Sequence, residues 1–232
     1  MNTLVIIPAR GGSKGIPHKN IKPLCGKPLI HYTIDVARSL FPDSQICVST
    51  DDQEIIKVTE DYGLKVPFVR PAELATDTCG TYEVLLHAID FYESQGLNLD
   101  NIVLLQNTSP FRTAEHLREA LALYTNDIDM VVSVTEAAGN PYYNLFEDGE
   151  DGCLRISKGD GTIRRRQDAP KVWEYNGAIY IMNVKSLKHE HYVNFKRQIK
   201  YVMPASSSID LDTPLDWMIA EAIMNENKNR IE

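Results

Sequence analysis

Long apolar runs are missing from this chain of 232 residues. No segment approaches the roughly 20 consecutive apolar residues that a membrane-spanning helix needs. The first apolar stretch, residues 4–7, is too short for a secretory leader and runs straight into Pro8 and Arg10, so no membrane partner and no export signal are expected. Cysteine is scarce and unpatterned. Cys25, Cys47, Cys79 and Cys153 show no C-x-x-C spacing, which argues against a zinc site or a disulfide framework and leaves reduced thiols of a cytoplasmic protein. The six histidines are dispersed, and no Ser-His-Asp or Cys-His arrangement is evident; His189 and His191 read as surface residues. Excess positive charge is absent too. Lys and Arg number 24 against 32 Asp and Glu, a formal net charge of −8, so nucleic acid is not an expected partner. There is no internal repeat and no low-complexity segment. What remains is an ordinary globular composition, 43% hydrophobic and 24% charged. The length suits a single α/β domain over residues 1–232.

The most informative stretch is residues 3–20. The apolar run at 4–7 reads as a strand covered on both faces. It ends in a loop with Gly11, Gly12 and Gly15 and the basic candidates Arg10, Lys14, His18 and Lys19. Small residues allow close backbone approach, and free N–H groups with nearby cations suit a triphosphate. The loop is not a Walker A motif, because no Gly-Lys-Ser or Gly-Lys-Thr follows the glycines. It is not the dinucleotide fingerprint either, since the spacing is G-G-x-x-G. The alternative is an ordinary basic turn after a strand.

Further along, strands are expected at 46–50, 66–69, 102–105 and 130–134. Helices are expected from Pro28 and over about 53–62, 81–95 and 114–124. This alternation predicts a mostly parallel sheet with helices on both faces, a three-layer Rossmann-like arrangement. The alternation breaks at 139–170, where Gly139, Pro141, Gly149, Gly152, Gly159, Gly161 and Pro170 mark a loop-rich or β-rich excursion. It reads as a solvated insertion or as an arm reaching over a partner subunit. A strand resumes at 177–182, and a helix is expected from Thr213 to about 227, with Thr213 as its N-cap.

Several residues could carry chemistry. Asp210 and Asp212 are two apart, so an extended backbone points both carboxylates the same way. Such a pair invites a cation, and hard oxygens favour magnesium; the alternative is a helix-start cluster that complements the dipole. Gln106, Thr108, Ser109 and Arg112 follow a strand end, where ligands bind in open parallel sheets. Arg112 would either clamp a carboxylate bidentately or sit exposed at a helix start. Asp77, Thr78 and Thr81 precede a helix and could be caps. Arg164, Arg165 and Arg166 form a second basic cluster, either a solvated charge run or cations brought back to the site.

Five stretches together resemble one family. They are residues 7–15 (Ile-Pro-Ala-Arg-Gly-Gly-Ser-Lys-Gly), 70–78 (Arg-Pro-Ala-Glu-Leu-Ala-Thr-Asp-Thr) and 105–113 (Leu-Gln-Asn-Thr-Ser-Pro-Phe-Arg-Thr), with 176–181 (Asn-Gly-Ala-Ile-Tyr-Ile) and 208–213 (Ser-Ile-Asp-Leu-Asp-Thr). In this order they are similar to the CMP-N-acylneuraminate synthetases, the cytidylyltransferases that activate sialic acids. The resemblance implies a nucleotidyltransferase α/β fold, with a dimerisation arm at about 139–170 and a homodimer. It implies CTP and an acidic nine-carbon sugar as substrates, with magnesium as cofactor. Arg10, Ser13, Lys14, Lys19, Asn20 and Thr81 would bind CTP; Gln106, Arg112, Arg166, Asn176 and Tyr180 would bind the sugar. Asp210 and Asp212 would hold the metal, and Arg10, Lys19 and Asp212 would carry catalysis. Asn107 stands where the family often has proline, and Glu174 where some bacterial members have a basic residue. Relatives acting on legionaminic or pseudaminic acid share most of these motifs. The synthetase for the eight-carbon acid Kdo fits less well. A metal-dependent glycosyltransferase and a non-catalytic nucleotide-binding module are the readings from other classes.

Overall fold

The computed structural model describes residues 1–229. The first half of the chain runs β1 (Thr3–Pro8), β2 (Pro23–Leu24), β3 (Lys27–Pro28), α1 (Leu29–Arg38), β4 (Ile46–Ser49), α2 (Gln53–Asp61), α3 (Thr81–Ser94) and β5 (Asn101–Leu105). There follow α4 (Ala114–Ala122), β6 (Met130–Glu136), β7 (Phe146–Asp148), β8 (Leu154–Ile156), β9 (Trp173–Asn183), α5 (Val184–His189), β10 (Gln198–Val202) and α6 (Pro214–Asn229). Six strands form the central sheet in the order β10-β6-β9-β5-β1-β4.

Alternation along β1 explains the layers. Successive side chains of a strand point to opposite faces. Val5 and Ile7 join one buried cluster with Ile30, Ile34 and Ala37 of α1, Ile55 of α2 and Leu117 of α4. Leu4 and Ile6 join another with Leu85, Ala88 and Ile89 of α3 and Leu187 of α5. Each face of the sheet is thus sealed by helices, which is why residues 4–7 read as a continuous apolar run. The expected three-layer architecture is what the chain adopts.

Four details refine or depart from the sequence reading. β9 runs antiparallel to both β5 and β6, while the other pairings within the central sheet are parallel. Residues 66–69 do not form a strand and contribute only the bridge Thr50–Val69. Pro67 lies within this segment and Pro71 two residues beyond it, and neither offers an N–H to a ladder. Within the excursion, β7 and β8 pair only with each other, as a separate hairpin. Pro28 precedes the first helical residue, one position earlier than expected.

A third, smaller core matters most for the site. Ile16, which follows the glycine loop, packs with Leu24, Leu29, Leu211, Trp217 and Ala220. It closes the N-terminal loop onto the segment before α6, about two hundred residues away in sequence. α6 is capped reciprocally: Thr213 Oγ1 accepts from Asp216 N at 3.3 Å, and Asp216 Oδ2 accepts from Thr213 N at 2.7 Å. The expected N-cap is therefore the one used.

Candidate active site

A cavity of about 550 Å³ opens beyond the carboxyl ends of β1 and β5. Ligands of open α/β sheets collect at this edge because the loops that follow the strands converge there. Its wall contains Arg10, Ser13, Lys14, Lys19 and Asn20 from the first loop, Thr81 from the start of α3, Gln106 after β5, and Asp210 and Asp212. Nine residues to which the resemblance assigns a role thus meet in one concavity.

The wall is electrostatically divided. On one side Arg10 Nη1 lies 3.1 Å and Lys14 Nζ 2.7 Å from the carboxylate of Asp77. The hydrogen bond from Lys14, with the charges of Lys14 and Arg10, holds the Asp77 carboxyl below its ordinary range. Asp77 is not a helix cap. Gly80 occupies the N-cap position of α3 and no side chain caps it. On the opposite side Lys19, its side chain only 13% exposed, donates to Leu211 O at 2.7 Å and Asp212 Oδ1 at 3.1 Å. Lys19 therefore ties the first loop to the aspartate segment. Gly15 completes that closure: a Cβ built on it would lie 2.1 Å from Asp212 O, so only glycine lets the two backbones come so near.

Asp210 differs from Asp212. Its carboxylate opens onto the cavity, but protein atoms crowd its other side. This desolvation raises its carboxyl above the ordinary value, a hydrogen bond from Thr108 opposes the rise, and the charge of Asp212 adds to it. Asp210 has no ion pair among the described residues, whereas Asp212 is 69% exposed and paired with Lys19. An underneutralised carboxylate beside a second one is a donor set that fits a hard divalent cation. Among the described residues no cluster of three or more His, Cys, Asp or Glu side chains could hold a metal alone. A cation there would need substrate oxygens to complete its shell, as magnesium commonly does.

Four expected sugar contacts are not on this wall. Arg112 is buried, and its Nη1 donates to Gln106 O at 3.0 Å and Ala178 O at 2.7 Å. It is neither an exposed clamp nor a surface residue, and burial, with no acidic partner among the described residues, lowers its pKa. Asn176 is buried, with Oδ1 accepting from Ser133 Oγ at 2.6 Å and Nδ2 donating to Ser208 Oγ at 2.9 Å. Tyr180 is buried with its ring against Tyr175 and Tyr192. Arg166 lies on the excursion, lines a separate cavity of about 370 Å³ with Asn140 and Lys171, and donates to Ala138 O at 2.8 Å.

The cavity is also lined by Asp77 and Thr108, both named from the sequence, and by Arg70, to which no role was assigned there. Arg70 is buried at the end of the segment after α2, where its Nε donates to Ser49 Oγ at 3.0 Å and its Nη1 to Leu74 O at 3.4 Å. It anchors the loop that carries Asp77. Its position directly after an apolar segment, like that of Arg10 after β1, was the available signal. Asn107, where proline is common in the resembling family, is buried and donates to Asn20 Oδ1 at 3.2 Å. Asn20 in turn donates to Arg10 O at 2.9 Å, so this asparagine braces the first loop by hydrogen bonding.

Comparison with known proteins gives the following. Residues 4–214 match the family model described as cytidylyltransferase. The chain is 32% identical over 232 residues to the CMP-N,N'-diacetyllegionaminic acid synthase of Legionella pneumophila, covering 100% of both chains. It is 37% identical over 222 residues to the N-acylneuraminate cytidylyltransferase of Streptococcus agalactiae, covering 94% of this chain and 52% of that one; it therefore spans about half the length of that relative. A CMP:2-keto-3-deoxy-manno-octonic acid synthetase solved in complex with CTP has the same fold, with a TM-score of 0.70, 16% identity, and coverage of 98% of this chain and 100% of that one.

Proposed function

The chain belongs to the cytidylyltransferase family, and we propose that it joins CTP to a sialic acid, giving the CMP-sugar and pyrophosphate. The observation that carries this reading is the cavity itself, in which Arg10, Lys14 and Lys19 share one wall with Gln106, Asp210 and Asp212. Three cations suit the triphosphate, and the loop N–H groups add donors. Ser13, Asn20 and Thr81 take the remaining CTP contacts, and Gln106 faces the acid sugar. The anomeric hydroxyl attacks the α-phosphorus, the new O–P bond forms, and the bond to the β-phosphate oxygen breaks. The hydroxyl proton leaves towards the carboxylate pair. Catalysis of this kind is mostly alignment and charge neutralisation. Magnesium held by Asp210 and Asp212 would supply positive charge at the α-phosphate and the departing pyrophosphate. The scattered, unpatterned cysteines and the use of CTP favour the cytoplasm as its compartment.

The decisive experiment is a pyrophosphate-release screen with CTP against sialic, legionaminic and pseudaminic acids, with and without a chelator. Release is expected with sialic acid and magnesium, and is expected to stop when the chelator is added. No release with any of the acids, together with sugar transfer from a preformed nucleotide sugar, would instead identify a glycosyltransferase. A second reading has its own support: the Legionella relative matches end to end, which favours a legionaminic acid as the preferred acceptor in the same screen.

The excursion at about 139–170 is proposed as the arm of a homodimer. Phe146 and Leu154, one on each strand of its hairpin, are 53% and 66% exposed. Apolar side chains exposed this far favour a partner surface. Arg166 lies on this arm, so its contact with a sugar would be made at the cavity of a second copy. Phe146→Asp combined with Leu154→Asp is expected to yield a folded monomer in sedimentation velocity; an unchanged dimer would remove the arm from the interface.

A further inference from the structure

Between β6 and β9 the strand register breaks. Val132 pairs with Tyr180, and Val134 pairs with Tyr175. Ser133 therefore stands opposite a bulged segment of β9 that contains Asn176, Gly177 and Ala178. Bulges of this kind re-aim groups beside functional sites. Here the bulge is held from both sides. Ser133 Oγ donates to Asn176 Oδ1 at 2.6 Å and accepts from Ile179 N at 2.7 Å. Arg112 bridges Ala178 O and Gln106 O with a single nitrogen.

Gly177 lies where the bulge meets the cavity residues. Its φ is +74°, a backbone state that disfavours a side chain. A Cβ on it would lie 2.7 Å from Gln106 Oε1 and 3.9 Å from Asp210 Oδ2. The bulge thus presses against the carboxamide of Gln106 while Arg112 fixes that residue's backbone.

We propose that Arg112, Ser133, Asn176 and Gly177 form a positioning frame that holds the Gln106 carboxamide at the acid-sugar side of the cavity. Two residues whose sequence context points to direct sugar contact, Arg112 and Asn176, then act through Gln106. The inference rests on the reading of Gln106 as a sugar contact. It adds that Gly177 sets the space available beside that carboxamide, and so the room left for the sugar.

The test is a double-mutant cycle between Gly177→Ala and Gln106→Ala, read as KM for sialic acid and KM for CTP in the full chain. Gly177→Ala is expected to raise the sialic acid KM about tenfold, the equivalent of one positioned hydrogen bond, with the CTP KM unchanged. Adding Gln106→Ala should raise it no further, because contacting residues are non-additive. Equal rises in both KM values, or additive effects, overturn the frame. If Gln106→Ala raises the sialic acid KM while Gly177→Ala does not, the frame fails and the sugar reading stands. If Gln106→Ala leaves that KM unchanged, Gln106 is removed from the sugar site and the frame falls with it. Should Gly177→Ala not fold, Ser133→Ala loosens the bulge without adding a Cβ and is expected to give the same KM split; unchanged values would overturn the proposal.

Discussion

Lys19→Ala is expected to lower the rate of pyrophosphate release about 10²- to 10³-fold, the usual cost of removing one preorganised charge-stabilising donor, while the protein stays folded. Two separate consequences of the substitution have very different sizes. The ion pair with Asp212 is half in solvent, since Asp212 is 69% exposed, and such pairs contribute no more than about 1 kcal/mol. The hydrogen bond to Leu211 O adds about 1 kcal/mol more. A loss of this size lowers the melting temperature of a 232-residue chain by only a few degrees, about 2–4 °C per kcal/mol. The rate is expected to be far more sensitive, because Lys19 is the first-loop cation that reaches the aspartate segment. Steady-state kinetics with CTP and sialic acid, together with thermal melts followed by circular dichroism, separate the two. A near-normal rate, or a rise in the sugar KM alone, would remove Lys19 from the phosphate site.

Gly15→Ala is expected to reduce the rate by about 10²-fold, the order of loss that follows a displacement of about 1 Å in a catalytic constellation. The added Cβ would meet a backbone oxygen, Asp212 O, at 2.1 Å. A flexible side chain could swing aside; a backbone carbonyl cannot do so without moving its neighbours. The loop and the aspartate segment must then part. Leu211, wholly buried and hydrogen-bonded through its N–H to Thr108 O at 2.9 Å, resists that movement, so the displacement falls on the loop and on Asp212. Unlike Lys19→Ala, this variant keeps every charge. If its rate matches that of the parent chain, close apposition of the two segments is not what the reaction needs. Gly12→Ala is the control, because nothing lies within 4 Å of a Cβ there, and it is expected to leave the rate within a few-fold of normal.

The sequence alone was enough to identify the layers. Residues 4–7 and 102–105 are apolar on both faces because helices cover both sides of the sheet, and a period-two strand buried twice leaves an unbroken run. Helices α2, α3 and α4 followed from apolar spacing in the same way. The antiparallel course of β9 was not legible, since a buried strand carries the same apolar run in either direction. Residues 66–69 look apolar enough for a strand, yet Pro67 and Pro71 deny them a ladder.

For the site, the sequence determined which residue types are available: three cations and small residues in one loop, a carboxylate pair near the far end, and a polar turn after β5. Those are local facts, fixed by spacing. Only the tertiary structure decided which of them meet. The small core around Ile16, Leu211 and Trp217 closes the first loop onto the aspartates, and Gly15 and Lys19 seal that contact. Tertiary packing likewise turned Arg112 and Asn176 inward, because each found its hydrogen-bond partners inside the protein: carbonyl oxygens for Arg112, and hydroxyls among them for Asn176. A polar side chain with partners in the interior gains nothing by facing a cavity, and the spacing of residues along a chain does not reveal where those partners will be.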